Sequence, residues 1–70
     1  MKLFVNGEPR DSEANTVDAL FRIEAEETGI VETQGIAIAL NGQVLRRKDW
    51  AETVITAGDR IEIVRAMQGG

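Results

Sequence analysis

Two Asn-Gly dipeptides, Asn6-Gly7 and Asn41-Gly42, constrain this chain more than any other feature. Asn and Gly both accept positive φ, which the two central residues of a type I′ turn require, so each dipeptide marks a two-residue β-hairpin. The first joins a strand over Lys2 to Asn6 with a polar return segment, Glu8 to Ala14. That segment holds the chain's single proline, Pro9, and so predicts an edge strand, where a missing N–H leaves no ladder bond unmade. The second joins Ile36-Ala37-Ile38-Ala39-Leu40 with a return strand over Gln43 to Arg46. Its first arm is an apolar run too short for a helix, with Ile36, Ile38 and Leu40 on the inner face.

Between the hairpins the period changes from two to 3.6. Asn15-Thr16 offers a helix cap, and Val17, Leu20 and Phe21 follow at helical spacing with Ile23 and Ala25 flanking them. Gly29 supplies the left-handed residue that closes many helices. Glu24, Glu26 and Glu27 are expected on a solvated face of this helix. After the second hairpin, Lys48 to Glu52 predicts a short helical turn with Asp49 as its cap, and Trp50 is expected to seal one end of the core. Ala57-Gly58-Asp59 then turns the chain into a last half-buried strand, Arg60 to Ala66.

One long helix must lie across a mixed sheet to bury its apolar face. If the first and last strands pair at the centre they run parallel, with a crossover long enough to hold the helix. The expected fold is therefore α+β, a ubiquitin-like β-grasp: a mixed sheet of about five strands packed on one main helix. A ferredoxin-like alternative needs a second full-length helix, for which Lys48 to Thr53 is too short. The expected organisation is a single domain over residues 1–66 with a flexible tail over 67–70.

The counts of zero exclude most chemistry. Without Cys the chain forms no disulfide and no thiolate metal site, and it carries no cargo on sulfur. Without His it also lacks the commonest neutral-pH base and metal ligand, so no catalytic residue, metal or cofactor is assigned and an enzyme ranks last among the functions. A net charge of −4 argues against nucleic acid and anionic membrane and favours a protein partner with a basic surface. No apolar run approaches the roughly 20 residues of a membrane span. A signal-peptide core is interrupted by Asn6-Gly7, so a cytoplasmic chain, monomeric when free, is expected.

The remaining candidate is the end of the sequence, Met67-Gln68-Gly69-Gly70. It has no apolar periodicity, and four extended residues reach roughly 13 to 14 Å. Two glycines without Cβ atoms fit a slot closed to other residues, so Met67, Gln68 and Gly69 are expected to thread a partner and deliver the Gly70 carboxylate to its active site. A carboxylate is a poor electrophile. Activation by ATP as an acyl-adenylate cures this, after which a sulfur nucleophile displaces AMP and leaves a thiocarboxylate on Gly70.

Over essentially its whole length the sequence resembles the ThiS family of thiamine-biosynthesis sulfur-carrier proteins. The resemblance rests on Val5-Asn6-Gly7-Glu8, Thr16-Val17, Ala37-Ile38-Ala39-Leu40-Asn41-Gly42, Arg47 through Trp50-Ala51-Glu52-Thr53, Gly58-Asp59-Arg60-Ile61-Glu62-Ile63-Val64 and Gly69-Gly70. Individually these are weak, but their order and spacing are specific. The resemblance implies three partners: a ubiquitin-activating-like adenylyltransferase that activates Gly70, a cysteine-desulfurase or rhodanese-type sulfur donor, and thiazole synthase as acceptor. Arg46 departs from the family, many of whose members carry Pro there.

Three other functions compete. The small subunit of molybdopterin synthase is a β-grasp carrier with a terminal diglycine, but it tends to have prolines before the glycines, where this chain has Ala66-Met67-Gln68. A ubiquitin-like protein modifier would join Gly70 to target lysines. A plain interaction domain would pair through the edge strand Glu8 to Ala14.

Overall fold

The computed structural model describes residues 1–29 and 35–65. Five strands and a helix follow in the order β1 (Lys2–Val5), β2 (Glu8–Asp11), α1 (Val17–Thr28), β3 (Ile36–Leu40), β4 (Gln43–Leu45) and β5 (Arg60–Arg65), with a 3-10 helix, Arg47–Glu52, before β5. The sheet order is β2-β1-β5-β3-β4. β1 and β5 run parallel and the other neighbours antiparallel, the mixed sheet expected.

Both Asn-Gly turns have positive φ at both positions: 51° and 82° at Asn6-Gly7, 51° and 87° at Asn41-Gly42. Glycine is the residue that sits there without a Cβ penalty. β2 is an edge strand, with Pro9 opposite Phe4. It ends at Asp11 and not Ala14: Asp11 pairs with Lys2, the first residue of β1, and beyond it only Met1 remains, exchanging hydrogen bonds with Ser12. β4 likewise stops at Leu45, one residue short of the expected Arg46. β5 is described to Arg65, and the expected last strand residue, Ala66, lies outside the described residues.

Helix α1 starts where Thr16 Oγ1 accepts the Ala19 N–H at 3.2 Å. A short antiparallel contact adds to this start: the Val17 N–H donates to Thr53 O at 3.0 Å and the Ile55 N–H to Asn15 O at 2.9 Å. Gly29, at φ 81°, closes the helix by donating to Ala25 O. The buried face is Val17, Leu20, Phe21 and Glu24, while Ile23 is 39% exposed. This corrects two expectations, that Ile23 flanks the core and that Glu24 is solvated. The spacing i, i+3, i+4, i+7 turns position 24 inward, and Arg10 of β2 meets its carboxylate at 3.1 Å.

Leu3, Val5, Ile38, Ile55 and Ile61 complete the core with the helix face and Trp50. Trp50 is 1% exposed, as expected of a core seal, and its ring lies 5.2 Å from that of Phe21 at 51°. Arg47 covers the same ring from outside at 5.5 Å. The short helix has no side-chain cap: it begins at Arg47, so Asp49 lies within its first turn and does not cap it as expected. The Asp49 carbonyl instead accepts the Thr53 hydroxyl at 2.6 Å.

Candidate functional site

The residues expected to carry function follow β5 in the sequence, so the site is built from what holds that strand. On one side lies the parallel partner β1. The Phe4 N–H donates to Asp59 O at 2.9 Å and the Asn6 N–H to Ile61 O at 2.8 Å. β1 has no further residues, because Asn6-Gly7 turns the chain away. At that point the Asn6 side chain takes over, its Oδ1 accepting the Ile63 N–H at 2.8 Å.

On the other side β3 pairs with β5 from Ile36↔Arg65 to Leu40↔Ile61. The second turn asparagine closes that ladder at the opposite end of β5. The Asn41 N–H donates to Arg60 O at 2.7 Å, and Asn41 Oδ1 accepts the Arg60 N–H at 2.9 Å. Asn41 Nδ2 also donates to Asp59 Oδ1 at 3.1 Å. Asp59 Oδ2 accepts the Thr56 N–H at 2.8 Å, and this bond, followed by the one from Asn41, holds the Asp59 carboxyl below its usual range. β5 is thus held by one amide side chain at its first residue and by another at Ile63.

Alternation puts Ile61 inward on the helix side, and Arg60, Glu62 and Val64 on the outer face. There Val64 faces Ala37, and Ala39 faces Val44. Val44 is 76% and Val64 56% exposed, so an apolar stripe crosses β4, β3 and β5 and ends one residue before the last described residue. Beside it, Phe4, Gly7, Asn41, Gly42, Arg60, Ile61 and Glu62 line a shallow groove of about 720 Å³. No buried side-chain polar atom among the described residues lacks a partner.

Among the described residues no group of three Asp or Glu is placed to hold a metal ion. No described helix is long and apolar enough to cross a membrane. Met67, Gln68, Gly69 and Gly70, the expected site residues, lie outside the described residues, as does the expected boundary at residue 66. The structure brings the chain to Arg65, and it is there that the clamped strand hands over to them. Sequence reasoning missed both amide clamps and the outer apolar stripe. The repeated choice of Asn at the first turn position, and the alternation of Ala37 and Ala39 with the inner Ile and Leu, were the available signals.

The ThiS family model matches residues 3–70. The sulfur carrier protein ThiS of Thermus thermophilus is 35% identical over 68 residues, which cover 97% of this chain and 98% of that one. A thiazole synthase of Paramagnetospirillum magneticum is 35% identical over 71 residues, covering all of this chain but only 20% of that protein. The crystal structure of the thiamine biosynthesis protein ThiS from Geobacter metallireducens superposes with a TM-score of 0.76 at 29% identity, both chains being fully covered. The solution structure of a thiamine biosynthesis protein from the same organism gives 0.68 at 27%, with 100% of this chain and 88% of that one covered. With the β-grasp in place, and with the match running the whole length of the sheet and on through the diglycine, the chain belongs to the ThiS family.

Proposed function

We propose that the chain is a cytoplasmic sulfur carrier for formation of the thiazole ring of thiamine, and that it is a substrate of other enzymes and not itself a catalyst. The observation that carries this reading is the family match extending through Gly70, the residue whose carboxylate undergoes the chemistry. An adenylyltransferase of the ubiquitin-activating kind lets the Gly70 carboxylate attack the α-phosphorus of ATP, releasing pyrophosphate. A hydrosulfide equivalent from a sulfur donor enzyme then displaces AMP, and the thiocarboxylate is presented to thiazole synthase. Met67, Gln68 and Gly69 form the narrow strip that enters each partner. Similarity to one fifth of a thiazole synthase supports that partner, because a carrier and its acceptor gain effective concentration when joined. The stripe over Ala37, Ala39, Val44 and Val64 is a docking face suited to these enzymes, since exposed contiguous apolar area marks interaction surfaces.

Intact-mass analysis tests the reading. After incubation with ATP, a cognate adenylating enzyme and a sulfur source, one terminal oxygen is replaced by sulfur, and deletion of Gly70 abolishes the change without altering thermal unfolding. An unchanged mass beside an enzyme active on another carrier overturns it. Conjugates to other proteins point to the modifier function instead.

A further inference from the structure

We propose that Asn6 is a positioning residue for the carrier tail: its side chain fixes the last point at which β5 is held on both of its sides. The inference rests on the carrier reading above and adds a residue to it. In register terms β1 reaches only Ile61, the partner of Val5, whereas β5 continues to Arg65. From Ile63 onward β5 would keep a neighbour only in β3. Asn6 prevents this at Ile63. Its φ of 51° turns the backbone out of the strand, while its Oδ1 stays behind and accepts the N–H that a further β1 residue would have bonded. With its own N–H on Ile61 O, Asn6 holds β5 at two points, 2.8 Å each, the second of them across 57 positions of sequence.

Asn41 makes the same kind of two-point hold on Arg60, at the start of β5. It therefore serves as an internal control, because it holds the strand without lying near its exit. A net hydrogen bond contributes on the order of 0.5–1.5 kcal/mol, which corresponds to a change of roughly threefold to tenfold in local opening. Opening at Ile63 adds residues to the segment that a partner must order, and ordering is a cost of binding and not of chemistry.

The test uses Asn6→Gly, which keeps the positive φ and removes only the acceptor, and Asn6→Asp, which restores an acceptor. Amide exchange at Ile63 in the free protein is expected to accelerate roughly threefold to tenfold in Asn6→Gly and to return in Asn6→Asp. The KM for the adenylating enzyme rises by a similar factor with kcat unchanged. Asn41→Gly lowers the melting temperature but leaves that KM alone. Wild-type exchange at Ile63 in Asn6→Gly, or an equal rise in KM for Asn41→Gly, overturns the inference. If no adenylating enzyme accepts the wild-type chain, the carrier reading fails and the exchange measurement alone decides the role of Asn6.

Discussion

Replacing Glu24 by leucine stabilises this domain at neutral pH. The carboxylate sits where a helix buries an apolar residue, with only 10% of its side chain exposed. Arg10 lies 3.1 Å from it but is itself 34% exposed and also meets Glu27 at 3.2 Å. Burial raises the Glu24 pKa above its ordinary value of 4.5; Arg10 opposes this and Glu27 adds to it, and burial wins. The ionised form is thus less comfortable in the fold than in water. Leucine removes that penalty and adds apolar contact with the helix face, while Arg10 keeps Glu27 and solvent and is not orphaned. Exchanging a buried ion pair for apolar packing is often neutral or stabilising by about 1–4 kcal/mol; the partial exposure of Arg10 places this case near about 1 kcal/mol. For a domain of this size that is a rise in melting temperature of about 4–8 °C.

The pH dependence carries the sharper test. A carboxyl whose folded pKa is raised holds more protons folded than unfolded, so stability falls as pH rises from about 4.5 through the folded value. The gain from Glu24→Leu is therefore largest above that window and shrinks below it. Urea denaturation followed by the fluorescence of buried Trp50 measures both. A loss of stability at neutral pH, or a gain independent of pH, refutes the reasoning.

Three further outcomes follow from the same geometry. Trp50→Ala removes the 1%-exposed ring and its contact with Phe21, costing about 3–5 kcal/mol, so circular dichroism shows the domain largely unfolded near 37 °C. Asn41→Gly costs about 1–2 kcal/mol in lost hydrogen bonds, and Asn41→Ala about 1 kcal/mol more because a Cβ is forced to φ 51°; equal melting temperatures for the two contradict this. Asp59 has the opposite linkage to Glu24: its folded pKa lies below 3.8, so its contribution is present above that value and is lost as pH falls through the folded one, and an acid titration of Asp59→Asn loses that dependence.

Much of the fold was legible because its signals are local. Asn6-Gly7, Asn41-Gly42, Thr16 and Gly29 each impose a backbone conformation through their own chemistry, and the hairpins and helix ends follow. Glu24 was misread because its environment depends on Arg10, a residue on a strand across the domain. The helical spacing already pointed position 24 inward; the charge of the residue argued the other way. Asp49 failed as a cap because the preceding extended residue, Arg46, let the short helix begin earlier. The clamps by Asn6 and Asn41 were invisible for a third reason: each amide bonds backbone brought near it only once β5 is inserted. The site expected at the diglycine lies outside the described residues, and the stripe of Ala37, Ala39, Val44 and Val64 was not legible, since it assembles from three strands.

The central place of β5 has a consequence for biosynthesis. Of the described strands it is the last to emerge from the ribosome, yet β1 and β3 have no shared neighbour until it arrives. Before that, nascent chains expose two bare inner edges, the kind of template that recruits other strands. A product terminated before Arg60 cannot complete the sheet. Any molecule that has reached its native shape has therefore been translated at least through β5, so the act of folding reports that synthesis has passed that strand.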